Sequence, residues 1–364
     1  MKSYINNYEV LCDAGDTKGL MQAIYAKKSA VSIDVSYIKD RPSGLGKMHY
    51  DNIFNVLKDV TSKVLKASNL ENFKDTLLIL GSSVGGMQEC EDIFYSQKNY
   101  KNINPNRYSM NTLTDYLCKE FDFYDSRAIS TACTSSANAL VLAKRLIDVE
   151  AYENILVVGA DGLCASTVLG FHALGVLSSK PCLPFDESRD GMNVAEAVAI
   201  MLIQNTKTKD SMELKGVGAS SDAYHMTNPD PEAGGAMSSM RDAINDAKLS
   251  LDDIDYVNAH GTATPANDRV EALAIEKLFA NDVYVSSTKA ITGHTLGAAG
   301  AIEAIISCEV IKNSIIPPQT GLQNQENTNI NIPKESVEMS VKNIVSNSFA
   351  FGGNNTSIVV GACV

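Results

Sequence analysis

Asp75-Thr76-Leu77-Leu78-Ile79-Leu80-Gly81 is a near-continuous apolar run that leads into a glycine turn at Gly85-Gly86. It reads as a buried strand. Strands without polar alternation belong to sheets covered on both faces, the mark of layered α/β folds. Outward from it, Ser126 to Ser130 reads as a strand end, followed by a small-residue turn and a periodic apolar helix from Ala137 to Val149. Asn154-Ile155-Leu156-Val157-Val158-Gly159-Ala160-Asp161 is a second strand, and Val194 to Ile203 a third.

A new start at Met212-Glu213-Leu214-Lys215-Gly216-Val217-Gly218 begins the same order again. A helix around Ser238 to Ala247 precedes strand Ile254 to Asn258, strand Val283 to Ser287 and a small-residue helix from Gly297 to Ile311. Strands at Asn343 to Ser346 and Ser357 to Gly361 finish the chain, and the polar run Gln323 to Asn331 reads as a surface loop. The expectation is a duplicated α/β arrangement with halves 1–210 and 211–364 and no linker between them.

The 364 residues can bury a large core, and 45% hydrophobic with 20% charged residues is ordinary globular composition. No apolar run reaches the length of a membrane span, and Met1 to Tyr8 lacks the apolar core of a secretory signal, so the expected location is the cytoplasm. The net charge of −12 argues against nucleic acid as a partner. It leaves room for an acidic protein partner, because screening confines surface charges to about 8 Å and a local basic patch suffices. The eight cysteines show no metal-ligand spacing, and most are expected to be buried hydrophobes.

One cysteine stands apart. Cys133 lies in Ser130-Thr131-Ala132-Cys133-Thr134-Ser135-Ser136-Ala137-Asn138, a turn that opens a helix. Unpaired backbone N–H groups and the positive end of the helix dipole favour its thiolate, and its small neighbours leave room for a substrate. Downstream, Asn258-Ala259-His260-Gly261-Thr262-Ala263-Thr264-Pro265 puts a histidine just past a buried strand, where α/β sheets hold ligands. Thr288-Lys289-Ala290-Ile291-Thr292-Gly293-His294 puts a second histidine before a helix of small residues, with Glu303 available as a charge partner. Asn347-Ser348-Phe349-Ala350-Phe351-Gly352-Gly353 sets two aromatic rings before a turn whose glycines free a backbone N–H to point into a site. Each segment alone has an ordinary structural explanation; the combination does not.

In this order and spacing, the set resembles the β-ketoacyl-[acyl-carrier-protein] synthases, elongating condensing enzymes of fatty acid and polyketide synthesis in the thiolase-like superfamily. Gly170-Phe171, Pro184-Phe185-Asp186, Arg189-Asp190-Gly191 and Ser220 to Thr227 add to the resemblance, which spans about residues 75 to 364. It implies a thiolase-type fold, two duplicated halves with mixed sheets layered with helices as α-β-α-β-α. It implies a homodimer, or a heterodimer with a related subunit, and a reaction without cofactor or metal. Substrates would arrive on the phosphopantetheine of acyl carrier protein, first acyl-loaded and then malonyl-loaded.

By the same resemblance, Cys133 takes the acyl group and the N–H groups of Cys133 and Phe351 hold its oxyanion. His260 and His294 stabilise the enolate left when malonyl loses CO₂, and Lys289 with Glu303 orders the His294 loop. Thr262 and Thr264 contact the pantetheine arm, while Phe171, Phe349 and Phe351 form the acyl pocket and its gate. The expected product is a 3-oxoacyl-acyl carrier protein. The competing readings are a non-catalytic partner subunit that docks carrier protein, and a thioester hydrolase or acyltransferase.

Four features depart from the pattern. Asn7 to Gly15 replaces a Gly-rich N-terminal strand opening, which puts the docking surface in question and leaves Lys47, Lys101 and Arg107 as candidates. Ala350 replaces a glycine and is expected to stiffen the gate. Asn354-Asn355 and Ala195-Glu196-Ala197 are also unusual, and together these changes point towards a specialised polyketide or polyene branch.

Overall fold

A computed structural model describes residues 1–38, 41–50, 52–68, 70–279, 283–326 and 328–363. The polar run 323–331 is therefore described except for Asn327. The first half contributes β1 (Tyr4–Cys12), β2 (Thr76–Gly81), β3 (Asp125–Ile129), β4 (Asn154–Asp161) and β5 (Ala197–Gln204). The second contributes β6 (Met212–Ser221), β7 (Tyr256–Asn258), β8 (Tyr284–Ser286), β9 (Asn343–Phe349) and β10 (Asn354–Ala362). In space they run β8-β7-β9-β10-β6-β1-β5-β4-β2-β3.

The topology states the duplication. In the first half β1 pairs antiparallel with β5, β5 antiparallel with β4, β4 parallel with β2 and β2 parallel with β3. In the second half β6, β10, β9, β7 and β8 repeat that sequence of partners and directions. The halves join edge to edge where Tyr4 and Ile5 of β1 meet Glu213 and Met212 of β6. The N-terminal strand is thus present and central, although its sequence lacks the glycines usual in the family it resembles.

Side-chain alternation along the strands feeds an inner core and an outer core on each side. Leu77, Ile79, Ile155 and Val157 face inward with Ile344, Ile358 and Val360 of the other half. Between them lie two helices, α2 (Ser135–Asp148) and α5 (Ala299–Asn313), through Leu140, Ile147, Ile302 and Ile306. Nearly every residue of α5 is buried, as expected of a helix with sheets on both sides. The alternate residues Leu78, Leu80, Leu156 and Val158 face outward onto α1 (Ile53–Ala67). There α1 presents Ile53, Val56, Leu57, Val60 and Val64 at helical spacing, and Asn52 caps it by accepting from the Asn55 N–H at 3.0 Å. Val257, Val285, Val345 and Val359 face outward in the second half onto α3 (Gly234–Asp246) and α4 (Pro265–Leu278). The result is the α-β-α-β-α layering of the thiolase-type fold.

The two central helices touch at Gly300. A Cβ there would lie 2.7 Å from both the backbone N and the Cβ of Ala137, so only glycine allows this approach. Among the described residues no helix is long and apolar enough to cross a membrane.

Candidate active site

Cys133 sits in the turn from β3 to α2, two residues before the helix begins. The turn is tight: Ala132 takes φ +53°, a left-handed conformation that costs a non-glycine residue about 1–2 kcal/mol. Hydrogen bonds hold it there. Ser135 Oγ donates to the Ala132 carbonyl at 2.6 Å and accepts the Thr131 N–H at 3.0 Å. Thr134 Oγ1 donates to the Thr131 carbonyl at 2.7 Å, and Ser83 Oγ donates to the Ala132 carbonyl at 2.9 Å. Asn138 ties Thr131 Oγ1 to Thr356 of β10, at 2.9 and 3.0 Å.

The second half supplies the rest. His294 Nε2 lies 3.0 Å from Cys133 Sγ. His260 follows β7, and its ring stands edge-on to that of His294, with centroids 5.3 Å apart and planes at 87°. Lys289, buried at the start of the loop that carries His294, places Nζ 3.3 Å from His260 Nδ1 and forms an ion pair with Glu303. An ammonium is a donor only. Nδ1 of His260 must therefore accept, so its ring proton belongs to Nε2. Among the described residues Nδ1 of His294 has no hydrogen-bond partner, so this tautomer follows whatever Nε2 meets. Neighbours fix the tautomer of one histidine and not the other.

Burial decides the resting charges. It pushes the Cys133 thiol up to about 11, against the Lys289 charge and the Phe351 and Cys133 N–H groups, which pull it down. Both imidazoles are driven well below their usual range, by burial first and the Lys289 charge second. Position beside a helix start is thus outweighed by desolvation: at rest the pair is thiol and neutral imidazole, not thiolate. At 3.0 Å the imidazole can take the thiol proton as the sulfur attacks. Burial also lifts Glu303 to about 7, opposed by Lys289.

Cys133, His260 and His294 open onto a cavity of about 250 Å³. Thr262, Thr264, Phe171, Phe349 and Phe351 line it, as do Leu174, Val176 and Met192. Thr262 Oγ1 and Thr264 Oγ1 lie 3.0 Å apart, and the Phe171 and Phe351 rings pack edge-on at 6.0 Å. Ala350 lies outside the left-handed region; Gly352 and Gly353, at φ +89° and +77°, make the turn instead. The alanine therefore carries no backbone strain in this state. One donor atom from each of Cys133, His260 and His294 falls within 4.8 Å of the others, a donor set of the kind soft divalent ions take.

Residues 27–209 match the family described as Beta-ketoacyl synthase, N-terminal domain, and residues 211–323 match Beta-ketoacyl synthase, C-terminal domain. The chain belongs to the β-ketoacyl synthase family. The 3-oxoacyl-[acyl-carrier-protein] synthase 2 of Coxiella burnetii is 36% identical over 313 residues, 77% of this chain and 74% of that protein. The enzyme of the same name from Rhizobium meliloti is 32% identical over 321 residues, 81% of this chain and 76% of that one. A chain of the Xenorhabdus doucetiae complex between the ketosynthase ApeO and its chain length factor ApeC superposes with TM-score 0.88 at 27% identity, covering 100% of this chain and 98% of its own.

Two carboxylates that hold this β-ketoacyl synthase site together escaped the sequence reading. Asp161, at the end of β4, accepts the N–H groups of Ser83 and Val84 at 2.9 Å and of Gly297 at 2.6 Å, and the Ser82 hydroxyl at 2.6 Å. It so ties the turn behind Cys133 to the turn after His294. Glu271 of α4 accepts the His260 and Gly261 N–H groups, both at 2.8 Å, and Asn347 Nδ2 at 3.1 Å. The signals were available: an acid closing an apolar strand, and Asp268 with Glu271 on one helix face three residues apart. Asp268 does similar work, accepting the N–H of Ala263 at 3.1 Å and of Phe185 at 2.8 Å, both in left-handed conformations.

Proposed function

We propose that this chain joins an acyl group, held as a thioester on Cys133, to malonyl-acyl carrier protein by decarboxylative Claisen condensation, giving 3-oxoacyl-acyl carrier protein. The observation that carries this reading is the convergence of Cys133, His294 and His260 at one apolar cavity that Phe351 also lines. His294 takes the thiol proton as Cys133 attacks the acyl thioester, and the departing carrier thiolate takes it back. The N–H groups of Cys133 and Phe351 hold the oxyanion. Malonyl-carrier then enters past Thr262 and Thr264. As CO₂ leaves, Nε2–H of His260 donates to the thioester oxygen that becomes the enolate, and His294, whose Nδ1 is not held, donates from Nε2 once its neutral ring has passed to the other tautomer. The enolate carbon attacks the acyl group, the Cys133 thiolate departs, and one proton from solvent restores the thiol.

Neutral imidazoles suit this role, since a donor that need not give up its proton stabilises the enolate throughout. Lys289, paired with Glu303, keeps the His260 proton on the nitrogen that faces the cavity. The scheme calls for no metal or organic cofactor beyond the carrier's phosphopantetheine. Fatty acid synthesis and a specialised polyketide pathway both fit it. All eight cysteines are free, which favours a reducing cytoplasm.

Acyl carrier protein is the partner this reading requires. Of the basic candidates, Lys47 is engaged with Asp34 at 2.7 Å and Arg107 with Glu89 at 2.9 Å. Lys101, exposed and outside the ion pairs of the described residues, is the freest to meet an acidic carrier. A dimer is also part of the proposal. Among the described residues β3 ends the strand order with one edge unpaired, and Cys133 follows it by four residues. A second chain, identical or related, pairing along β3 would cover that edge. The pairing of ApeO with ApeC favours considering a related subunit.

The test is mass spectrometry of the protein with acyl-carrier, then malonyl-carrier. Expected are one acyl adduct on Cys133 and then a product two carbons longer. An unmodified Cys133 under saturating acyl-carrier overturns the proposal and favours the non-catalytic subunit.

A further inference from the structure

We infer that Lys289 keeps divalent metal ions out of the active site. Cys133, His260 and His294 are all buried, and one donor atom of each lies within 4.8 Å of the others. A tetrahedral Zn²⁺ site needs donors about 3.3–3.7 Å apart, given Zn–S of about 2.3 Å and Zn–N of about 2.0–2.1 Å. His294 Nε2 and Cys133 Sγ, at 3.0 Å, stand slightly closer than that and would part a little to take the ion. The adjoining cavity offers the fourth position to water. Three such donors around an open position make a zinc site of the catalytic type. Metal bound there would hold the thiolate and the enzyme would be blocked.

Lys289 opposes this in two ways. Its ammonium donates to His260 Nδ1 at 3.3 Å, which forces the ring proton onto Nε2, the nitrogen left to face the cavity. A protonated nitrogen has no lone pair for a metal, so the cluster falls from three ligands to two. The ammonium also sets a full positive charge, buried, one imidazole away from where a dication would sit. Without the ammonium the arrangement inverts. Nδ1 and the Glu303 carboxylate both touch the same Nζ, so removing it leaves them facing each other across the gap. An Nδ1–H donating to that carboxylate is the outer-shell arrangement that metal-binding histidines use.

The experiment compares Zn²⁺ binding, by calorimetry, to the unaltered full-length protein and to Lys289→Met and Lys289→Gln. Cd²⁺ serves as a second probe through its ultraviolet thiolate charge-transfer band. Either variant is expected to take up one Zn²⁺ per chain at least about 10-fold more tightly, the scale on which outer-shell partners act. The bound ion should shield Cys133 from iodoacetamide until a chelator is added, and a further Cys133→Ser change should abolish the site. Equal affinity in the unaltered protein overturns the inference. So does a variant that gains no metal although its Cys133 still reacts, which shows the fold intact. None of these readouts uses carrier substrates, so a failed condensation assay leaves them unaffected.

Discussion

His294 Nε2 meets Cys133 Sγ at 3.0 Å across the seam between the two halves, and the two residues occupy equivalent places in the repeat. Cys133 lies between β3 and α2; His294 lies between β8 and α5, their counterparts in the second half. The packing of α2 on α5 at Gly300 brings these two helix starts together. The contact also gives the two histidines unequal tasks. His260→Ala should leave acylation of Cys133 nearly intact and cut decarboxylation by about 10²–10³-fold, the usual cost of losing one oxyanion donor. His294→Ala should slow both. Rapid-quench measurement of each half-reaction decides it, and equal losses for His260→Ala would refute the division.

Lys289 supports the thiolate, so its loss should be visible in the pH dependence of alkylation. With the Cys133 thiol at about 11, reactivity towards iodoacetamide should climb about tenfold per pH unit up to that value. Removing the lysine charge disfavours the thiolate, so Lys289→Met should shift the profile to higher pH and slow alkylation at pH 8. The change also strands the buried Glu303, at a cost of about 3–5 kcal/mol in unfolding measurements. Lys289→Met with Glu303→Leu should recover part of that loss.

Asp161 acts on Cys133 in the opposite sense, because its negative charge raises the thiol. Asp161→Asn should therefore speed alkylation at a given pH. It should also slow condensation, since the Gly297 N–H and the His294 turn lose their anchor. Stability should fall by about 1–3 kcal/mol from buried N–H groups left poorly paired. Faster alkylation together with slower condensation is the signature; a uniform loss would mean a purely structural role.

Ala350 should prove less rigidifying than its replacement of a glycine implies. Its φ is not left-handed, so Ala350→Gly relieves no strain and should lower stability by at most about 1 kcal/mol through chain entropy. Steady-state turnover should change little. A several-fold gain in turnover would show that the alanine does restrain the gate.

The apolar runs at 75–81 and 154–161 revealed their strands because no polar alternation interrupts them, and the repeated order of elements revealed the duplication. The gathering of Cys133, His260, Lys289, His294 and Phe351 around one cavity was legible because each sits in a short stretch of small residues. What stayed hidden was set by distance along the chain. Asp161 is 136 residues from Gly297, and Glu271 reaches back from the middle of a helix to the His260 turn. The balance that sets the charge of Cys133 lay out of sight for a related reason. Its helix start is local and visible, whereas the desolvation that outweighs it comes from elements of both halves.

The equivalence of Cys133 and His294 carries a consequence for how such a site can arise. Two separate copies of a single half, paired about the same axis, would present identical residues on the two facing helix starts. They would offer two cysteines or two histidines, never one of each. A nucleophile facing its own proton acceptor requires the symmetry to be broken, and joining the halves in one chain lets each position change alone. The continuous backbone through 204–212 is what permits the two sides of this pair to differ.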